Sequence, residues 1–131
     1  MKRLLLSLAL TFLLAACASA GDEAQAVTLK LKDISYTSTT LEAAVGQPVA
    51  LTLINEGALE HDFSIKRIAV TGVSESNPVD HGHTHGDLHA AVRPGEMNVL
   101  TFTPTEPGVY EFYCTVSGHK EAGMVGTLIV R

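Results

Sequence analysis

The sequence is poor in cysteine, in basic side chains and in long apolar runs. It contains 2 Cys, and its 9 Lys and Arg are outnumbered by 14 Asp and Glu, so the formal net charge is −5. An acidic surface argues against binding to nucleic acid and favours a neutral or basic protein partner. The apolar run at residues 4–14 is shorter than the roughly 20 residues that a membrane-spanning helix needs. The sequence contains no internal repeat of the kind that would indicate a solenoid or another repeat fold.

The first residues have the pattern of a targeting signal. A basic start at Met1-Lys2-Arg3 precedes the apolar run, and a small-residue cleavage site ends on Cys17. This arrangement resembles a bacterial lipoprotein signal, which implies cleavage before Cys17 and acylation of its thiol. A plain secretory signal cut near Ala20 and an uncut anchor are the alternatives.

The signal divides the chain into three segments. We expect residues 1–16 to be the signal peptide, residues 17–26 the lipidated N terminus and tether, and residues 27–131 one domain. Residues 1–16 hold two basic and no acidic side chains, so their loss changes the formal charge from −5 to −7. Cys114 is then the one free thiol and forms no intrachain disulfide, which suggests that it is reserved for a metal. The expected location is the periplasmic or extracellular face of a bacterial cell membrane, with the lipid as anchor.

Apolar and polar residues alternate along most of the domain. His61, Phe63 and Ile65 fall on one face of a predicted strand, with Asp62 and Ser64 on the other. Cys114 shares a face with the aromatic residues before it, so both His61 and Cys114 are predicted to point inward. Met97 is expected to pack in the core. Short strands separated by glycine and proline turns predict an all-β fold, an antiparallel β-sandwich of about eight strands.

Four residues form a potential metal-ligand set. Cys114, His119 and Met124 lie within one short glycine-rich stretch, and His61 lies far upstream. Carboxylate oxygens suit calcium or magnesium and four thiolate or imidazole ligands suit zinc, whereas one thiolate, two imidazoles and a thioether suit a blue-copper electron-transfer site. Copper is therefore the predicted metal.

These residues and their surroundings resemble the cupredoxins, the family of small blue copper proteins that includes plastocyanin, azurin, rusticyanin and auracyanin. The Cys-x4-His-x4-Met spacing is most similar to that of rusticyanin and auracyanin. The resemblance extends over the mature domain, at residues 46–48, 61–63, 93–96, 107–114 and 126–130.

The resemblance implies a Greek-key sandwich that holds one copper ion cycling between Cu(I) and Cu(II). His61, Cys114 and His119 are then the equatorial ligands and Met124 is the axial ligand. It also implies that His119 lies at the surface, where its edge is the electron exit. A binuclear copper centre is excluded because the loop lacks a second cysteine.

Two positions depart from the pattern of many cupredoxins. Ser117 stands in place of a proline, and Asp62 stands in place of an asparagine. We expect the Asp62 carboxylate to accept backbone hydrogen bonds near Thr115, as the amide does in relatives, so both residues belong to the outer shell of the site. The added negative charge near the copper is expected to favour the oxidised state.

A second group of histidines lies in a predicted insertion between two strands. It is either a solvated loop that happens to be rich in histidine or an accessory site for Cu(II) or Zn(II), built from imidazoles two residues apart. Its members are His81, His83, His85 and His89.

These observations predict a membrane-tethered, monomeric electron carrier that is not an enzyme. It would exchange single electrons with redox proteins, donors or acceptors of the cytochrome or oxidase type. The main alternative is an exported copper chaperone or buffer that uses the same site and passes metal through the histidine-rich loop.

Overall fold

The computed structural model describes residues 23–80 and 86–131. The predicted signal peptide, Cys17 and most of the predicted tether lie outside the described residues, and so do His81, His83 and His85. The described ranges contain no helix long and apolar enough to cross a bilayer. They form ten strands: β1 (Gln25–Lys32), β2 (Ser35–Tyr36), β3 (Thr40–Ala43), β4 (Val49–Asn55), β5 (His61–Ile65), β6 (Val70–Glu75), β7 (Leu88–Val92), β8 (Met97–Pro104), β9 (Gly108–Tyr113) and β10 (Val125–Val130).

The strands form two five-stranded sheets. Sheet A has the order β2-β1-β4-β8-β6, and sheet B has the order β3-β10-β9-β5-β7. The predicted all-β, cupredoxin-like sandwich is confirmed, with ten strands in the described ranges rather than about eight. Most neighbours are antiparallel, but β1 pairs in parallel with β4, and β3 pairs in parallel with β10. β3 forms the edge of sheet B, whereas β1 lies between β2 and β4 in sheet A.

The core lies between the sheets and follows the period-two pattern of the strands. In β4 every second residue is buried, beginning with Val49. Phe112 of β9 occupies the centre, stacked on Phe63 with ring centroids 5.0 Å apart. Gly126 of β10 makes room for this ring, because a Cβ atom there would lie 2.1 Å from Cζ of Phe112.

Met97 is not in the core, contrary to the sequence-based expectation. It is 55% exposed, and it pairs with Ile54 at the start of β8. The inward positions of β8 are instead Asn98, Leu100 and Phe102. Because the buried Asn98 takes an inward-facing position, apolar character alone does not predict which face of β8 is buried.

Both faces of β5 are buried, although the sequence predicted an outward face at Asp62 and Ser64. Every residue of this strand is buried. The second face is covered at Asp62 by side chains that bond to it, Thr115 from the chain after β9 and His89 of β7.

The two ends of the sandwich differ in what they carry. β5 starts at His61, β9 ends just before Cys114, and β10 starts just after Met124, so these residues meet at one end, here called the metal pole. The chain enters β1 at the other end, where Gln25 pairs with Val49. The sandwich therefore separates the start of the described chain from the candidate site by the length of a strand.

Candidate metal centre

The loop between β9 and β10 holds three of the candidate ligands in a compact backbone fold. The N–H of Cys114 donates to the carbonyl of Met124 at 3.1 Å, and the N–H of Met124 donates to the carbonyl of His119 at 2.9 Å. Gly118 and Gly123 have φ angles of 81° and 98°, which favour glycine because it has no Cβ atom. The loop backbone therefore fixes the spacing of the three side chains.

His61 reaches the same place from the first position of β5. One ligand atom each of His61, Cys114 and His119 lies within 4.8 Å of the other two. Sγ of Cys114 is 3.5 Å from Nδ1 of His119, and the two imidazole centroids are 5.0 Å apart. Met124 is completely buried and belongs to the hydrophobic core cluster that also contains Cys114. The structure thus brings together a thiol and two imidazoles that could hold a metal ion.

The ring of His61 fits a metal ligand better than an ordinary core histidine. It is fully buried, and within the described residues neither of its ring nitrogens has a hydrogen-bond partner. Burial and the nearby His119 lower the pKa of His61 below its ordinary value, so the ring is neutral and one nitrogen has a free lone pair. Nε2 lies 3.8 Å from Oδ1 of Asp33, which leaves Nδ1 for a ligand. An unsatisfied buried polar group is costly unless something binds it.

The thiol of Cys114 is held neutral in the metal-free protein. Burial, with the charge of Asp62 as the next cause, raises the pKa of Cys114 to about 11. Backbone hydrogen bonds to Cys114 from Asp62 and Val116 act in the opposite direction and favour the thiolate. A cation that binds this sulfur at neutral pH must therefore displace a proton.

Asp62 links the site to β7 and to the loop after β9. Its Oδ1 accepts a hydrogen bond from the backbone N–H of Thr115 at 2.7 Å, and its Oδ2 accepts one from the Thr115 hydroxyl. Nε2 of His89 lies 3.4 Å from Oδ2. Burial acts to raise the pKa of Asp62, but the bonds to His89 and Thr115 outweigh it and hold this pKa below its ordinary value. The carboxylate is therefore charged at neutral pH.

His119 is 6% exposed, so its ring is mostly covered, while Ser117, Gly118, Ala122 and Gly123 around it are exposed. The resemblance implied a surface position for His119, whereas the structure buries it beside exposed small residues of the same loop.

His89 is not part of a loop, as the sequence-based grouping with His81, His83 and His85 supposed. It lies within β7, its side chain is 17% exposed, and it bonds to Asp62. The alternation that placed Leu88 and Ala90 in a strand also fixes His89 there, on the opposite face.

Two residues beside the site were not identified from the sequence. Tyr36 donates from its hydroxyl to the backbone carbonyl of Asp62. Asn55 is buried, and its side-chain amide donates to the carbonyls of Leu59 and Val92, both at 2.8 Å. These bonds order the chain that leads into His61. Asn55 begins the turn-forming sequence Asn-Glu-Gly, which is the one available signal, whereas no pattern marks Tyr36.

Comparison with known proteins agrees with the copper-type ligand set that the geometry shows. Residues 4–130 match the family described as the cupredoxin-like domain. A copper-resistant cuproprotein, CopI, of Pseudomonas aeruginosa is 28% identical, over 87% of this chain and 80% of its own length. CopI of Rubrivivax gelatinosus is 30% identical, over 85% of this chain and 71% of its own length.

Solved structures agree on the fold. Auracyanin from Roseiflexus castenholzii is 22% identical with a TM-score of 0.64, covering 85% of this chain and 99% of its own. Auracyanin B is 25% identical with a TM-score of 0.62, covering 82% of this chain and 89% of its own. The two-sheet sandwich, the ligand cluster at one pole and the family match together establish that the chain belongs to the cupredoxins.

Proposed function

We propose that the protein binds one copper ion through His61, Cys114, His119 and Met124 and carries single electrons between redox proteins. The observation that carries the proposal is the meeting of one buried thiol and two imidazoles within 4.8 Å of one another. This donor set, completed by a thioether, suits copper and is poor for zinc, for which methionine is a weak ligand. When bound, copper supplies a one-electron Cu(I)/Cu(II) couple.

The chain supplies a rigid cage around that couple. Cys114 and Met124 are tied to each other by a backbone hydrogen bond at the junction with two paired strands. His61 is held by the pairing of β5 with β7. Ligands fixed in this way before binding rearrange little between the two oxidation states, which suits fast electron exchange. A buried thiol and two buried imidazoles suit a closed metal centre, and on this ground we propose a carrier rather than an enzyme.

The edge of His119 is the proposed route for electrons, and its surroundings define a docking surface. Val116, Ala122 and the exposed Leu59 supply small apolar contacts. Glu56, Glu60 and Glu121 supply negative charge at the rim, which steers a basic partner toward the metal pole. A redox protein with a basic surface, of the cytochrome or oxidase type, is the partner that fits this charge.

The proposed location is the outer face of a bacterial membrane, with acylated Cys17 as anchor and the protein acting as a monomer. β1 begins at the end of the sandwich opposite the metal pole. An anchor before β1 would therefore leave the docking surface facing soluble partners. Cell fractionation of wild type and Cys17→Ser tests the anchor, and release of the variant from membranes is the expected result.

Absorption and EPR spectra of copper-loaded protein test the centre itself. We expect an intense visible thiolate-to-copper band and one copper per chain, with the band absent in Cys114→Ser. Ser117→Ala is the matched control in the same loop and should retain the band. An intense band that survives in Cys114→Ser would show that the sulfur ligand is elsewhere.

Copper handling is the second candidate function. It is favoured by the names of the CopI relatives, which are copper-resistant cuproproteins, and it would use the same ligands to buffer or pass on copper. The two functions make opposite predictions for two variants. A carrier should lose electron transfer to a basic cytochrome in Val116→Lys, with copper affinity unchanged.

A copper handler should instead lose copper delivery when His81, His83 and His85 are replaced by Ala. His89 is left intact in this variant because it bonds to Asp62. Stopped-flow oxidation and copper-transfer assays on both variants decide between the functions. Normal electron transfer in Val116→Lys together with lost delivery in the histidine variant would replace the carrier proposal by the handler.

A further inference from the structure

Tyr36 makes a buried hydrogen bond to the segment that contacts Cys114. It lies in β2 at the edge of sheet A, and its hydroxyl donates to the backbone carbonyl of Asp62 at 2.6 Å. Its ring packs edge-to-face on Phe112, with centroids 5.1 Å apart. Burial raises the pKa of Tyr36 above its ordinary value. The phenol therefore remains a hydrogen-bond donor.

The carbonyl of Asp62 needs such a donor because the sheet opens at this point. Within the described residues β5 pairs with β9 only at Ser64 and Tyr113, and β9 ends before the chain turns at Cys114. Beyond that pair the backbone of Asp62 has no ladder partner in β9. Its N–H bonds to Cys114 and its carbonyl accepts from Tyr36. A buried carbonyl without a partner would cost free energy.

We propose that Tyr36 is a positioning residue for the metal centre: its hydroxyl fixes the Asp62 peptide so that the Asp62 backbone stays bonded to Cys114. The inference rests on the proposed copper site, but the order of Asp62 itself can be measured without metal. Through Asp62 the Tyr36 hydroxyl also positions Thr115, because the N–H of Thr115 donates to the Asp62 carboxylate.

The role assigned to Tyr36 differs from simple packing. A phenylalanine would fill the same space against Phe112, so packing alone does not require the hydroxyl. Tyr110 provides a matched comparison because its hydroxyl also donates to a backbone carbonyl, that of Glu106 at 3.2 Å. That bond lies at the other end of β9, far from Asp62.

Backbone amide exchange of metal-free Tyr36→Phe and Tyr110→Phe is the first test, read by NMR. Tyr36→Phe should speed exchange at Asp62 and Thr115 by about tenfold, the loss expected for one buried hydrogen bond. Exchange at Leu51, in the middle of β4, reports the general loss of stability, and the increase at Asp62 and Thr115 should exceed the increase at Leu51. Tyr110→Phe should leave Asp62 and Thr115 unchanged.

Copper-loaded protein gives the second readout. Tyr36→Phe should still bind copper at the wild-type stoichiometry, but its thiolate-to-copper band should shift in position and Cu(II) should dissociate several-fold faster. Absence of the band in wild type would reject the copper centre without bearing on the exchange result. The role of Tyr36 would be rejected if wild type shows the band while Tyr36→Phe and Tyr110→Phe have the same amide exchange rates and the same spectra.

A third measurement covers the case in which Tyr36→Phe does not fold. In the unmodified protein the Tyr36 hydroxyl proton should exchange slowly with water and give an NMR resonance close to the ring protons of Phe112. A hydroxyl proton in fast exchange would show that the bond to Asp62 is not formed, and the inference would be wrong.

Discussion

Replacement of Asp62 by asparagine should raise the reduction potential of the copper centre. The substitution keeps the shape of the side chain, and its amide oxygen can still accept the bond from the N–H of Thr115. It removes one negative charge, which the structure places in a buried position next to Cys114. A negative charge stabilises Cu(II) more than Cu(I), so its loss favours the reduced state.

The size of the shift follows from the geometry. Oδ1 of Asp62 lies 2.7 Å from the N atom of Thr115, the residue after Cys114, which puts the carboxylate roughly 6 Å from an ion at the sulfur. At an effective dielectric constant of about 20, this separation gives about 3 kcal/mol, and screening by solvent and ions reduces it to on the order of 1–2 kcal/mol. With about 59 mV per tenfold change for one electron, the expected increase is roughly 40–90 mV.

Protein-film voltammetry of wild type and Asp62→Asn measures this shift. Glu42→Gln is the control, because it removes an equal charge at the other end of the sandwich, where Glu42 pairs with Ile129 and contacts Arg131. That charge is exposed and more than a Debye length of about 10 Å from the site, so its removal should leave the potential unchanged. An unchanged or lower potential in Asp62→Asn would show that the carboxylate does not act on the centre electrostatically.

Three further predictions concern the axial ligand, the core and the thiol. Met124→Leu should retain copper and raise the potential, because loss of a weak axial donor destabilises Cu(II) more than Cu(I); voltammetry that shows no change would mean that Met124 is not axial. Gly126→Ala should destabilise the fold by about 1–3 kcal/mol through its clash with Phe112. Urea unfolding should show that Gly126→Ala lowers the free energy of unfolding less in a Phe112→Leu background than in wild type, and an equal loss would contradict the clash. The raised pKa of Cys114 stabilises metal-free protein below about pH 9, and this contribution, on the order of 2 kcal/mol, is lost as the pH rises toward 11. Denaturation between pH 8 and 11 should therefore show a steeper loss of stability in wild type than in Cys114→Ala, and equal slopes would contradict it.

Local patterns predicted those parts of the molecule that depend on neighbours in sequence. Alternation placed His61 and Cys114 on inward faces, and both are fully buried. The spacing of Cys114, His119 and Met124 within one loop identified the candidate ligands because a single turn of chain determines their proximity.

Contacts between distant segments could not be predicted in this way. Tyr36 and Asp62 are 26 residues apart, and Asp62 and His89 are 27 apart. Only the assembled order of sheet B brings His89 beside Asp62, and only the edge position of β2 brings Tyr36 to it. The burial of Asp62 and the exposure of Met97 depend on the same assembly, which is why the periodic pattern assigned neither correctly.

The separation of the metal pole from the chain termini matters for attaching the protein to an electrode. Gln25 pairs at one end of β1 with Val49, and Leu31 pairs with Asn55 at the other, so six residue steps of about 3.3 Å, or roughly 20 Å, separate the N-terminal entry from the metal pole. Arg131 lies at the same distant end, where its N–H bonds to Ala43. Since tunnelling rates fall exponentially with distance, a surface held next to Gln25 or Arg131 would exchange electrons poorly with the metal pole. An attachment point at the exposed Ser117 would instead place the surface next to His119.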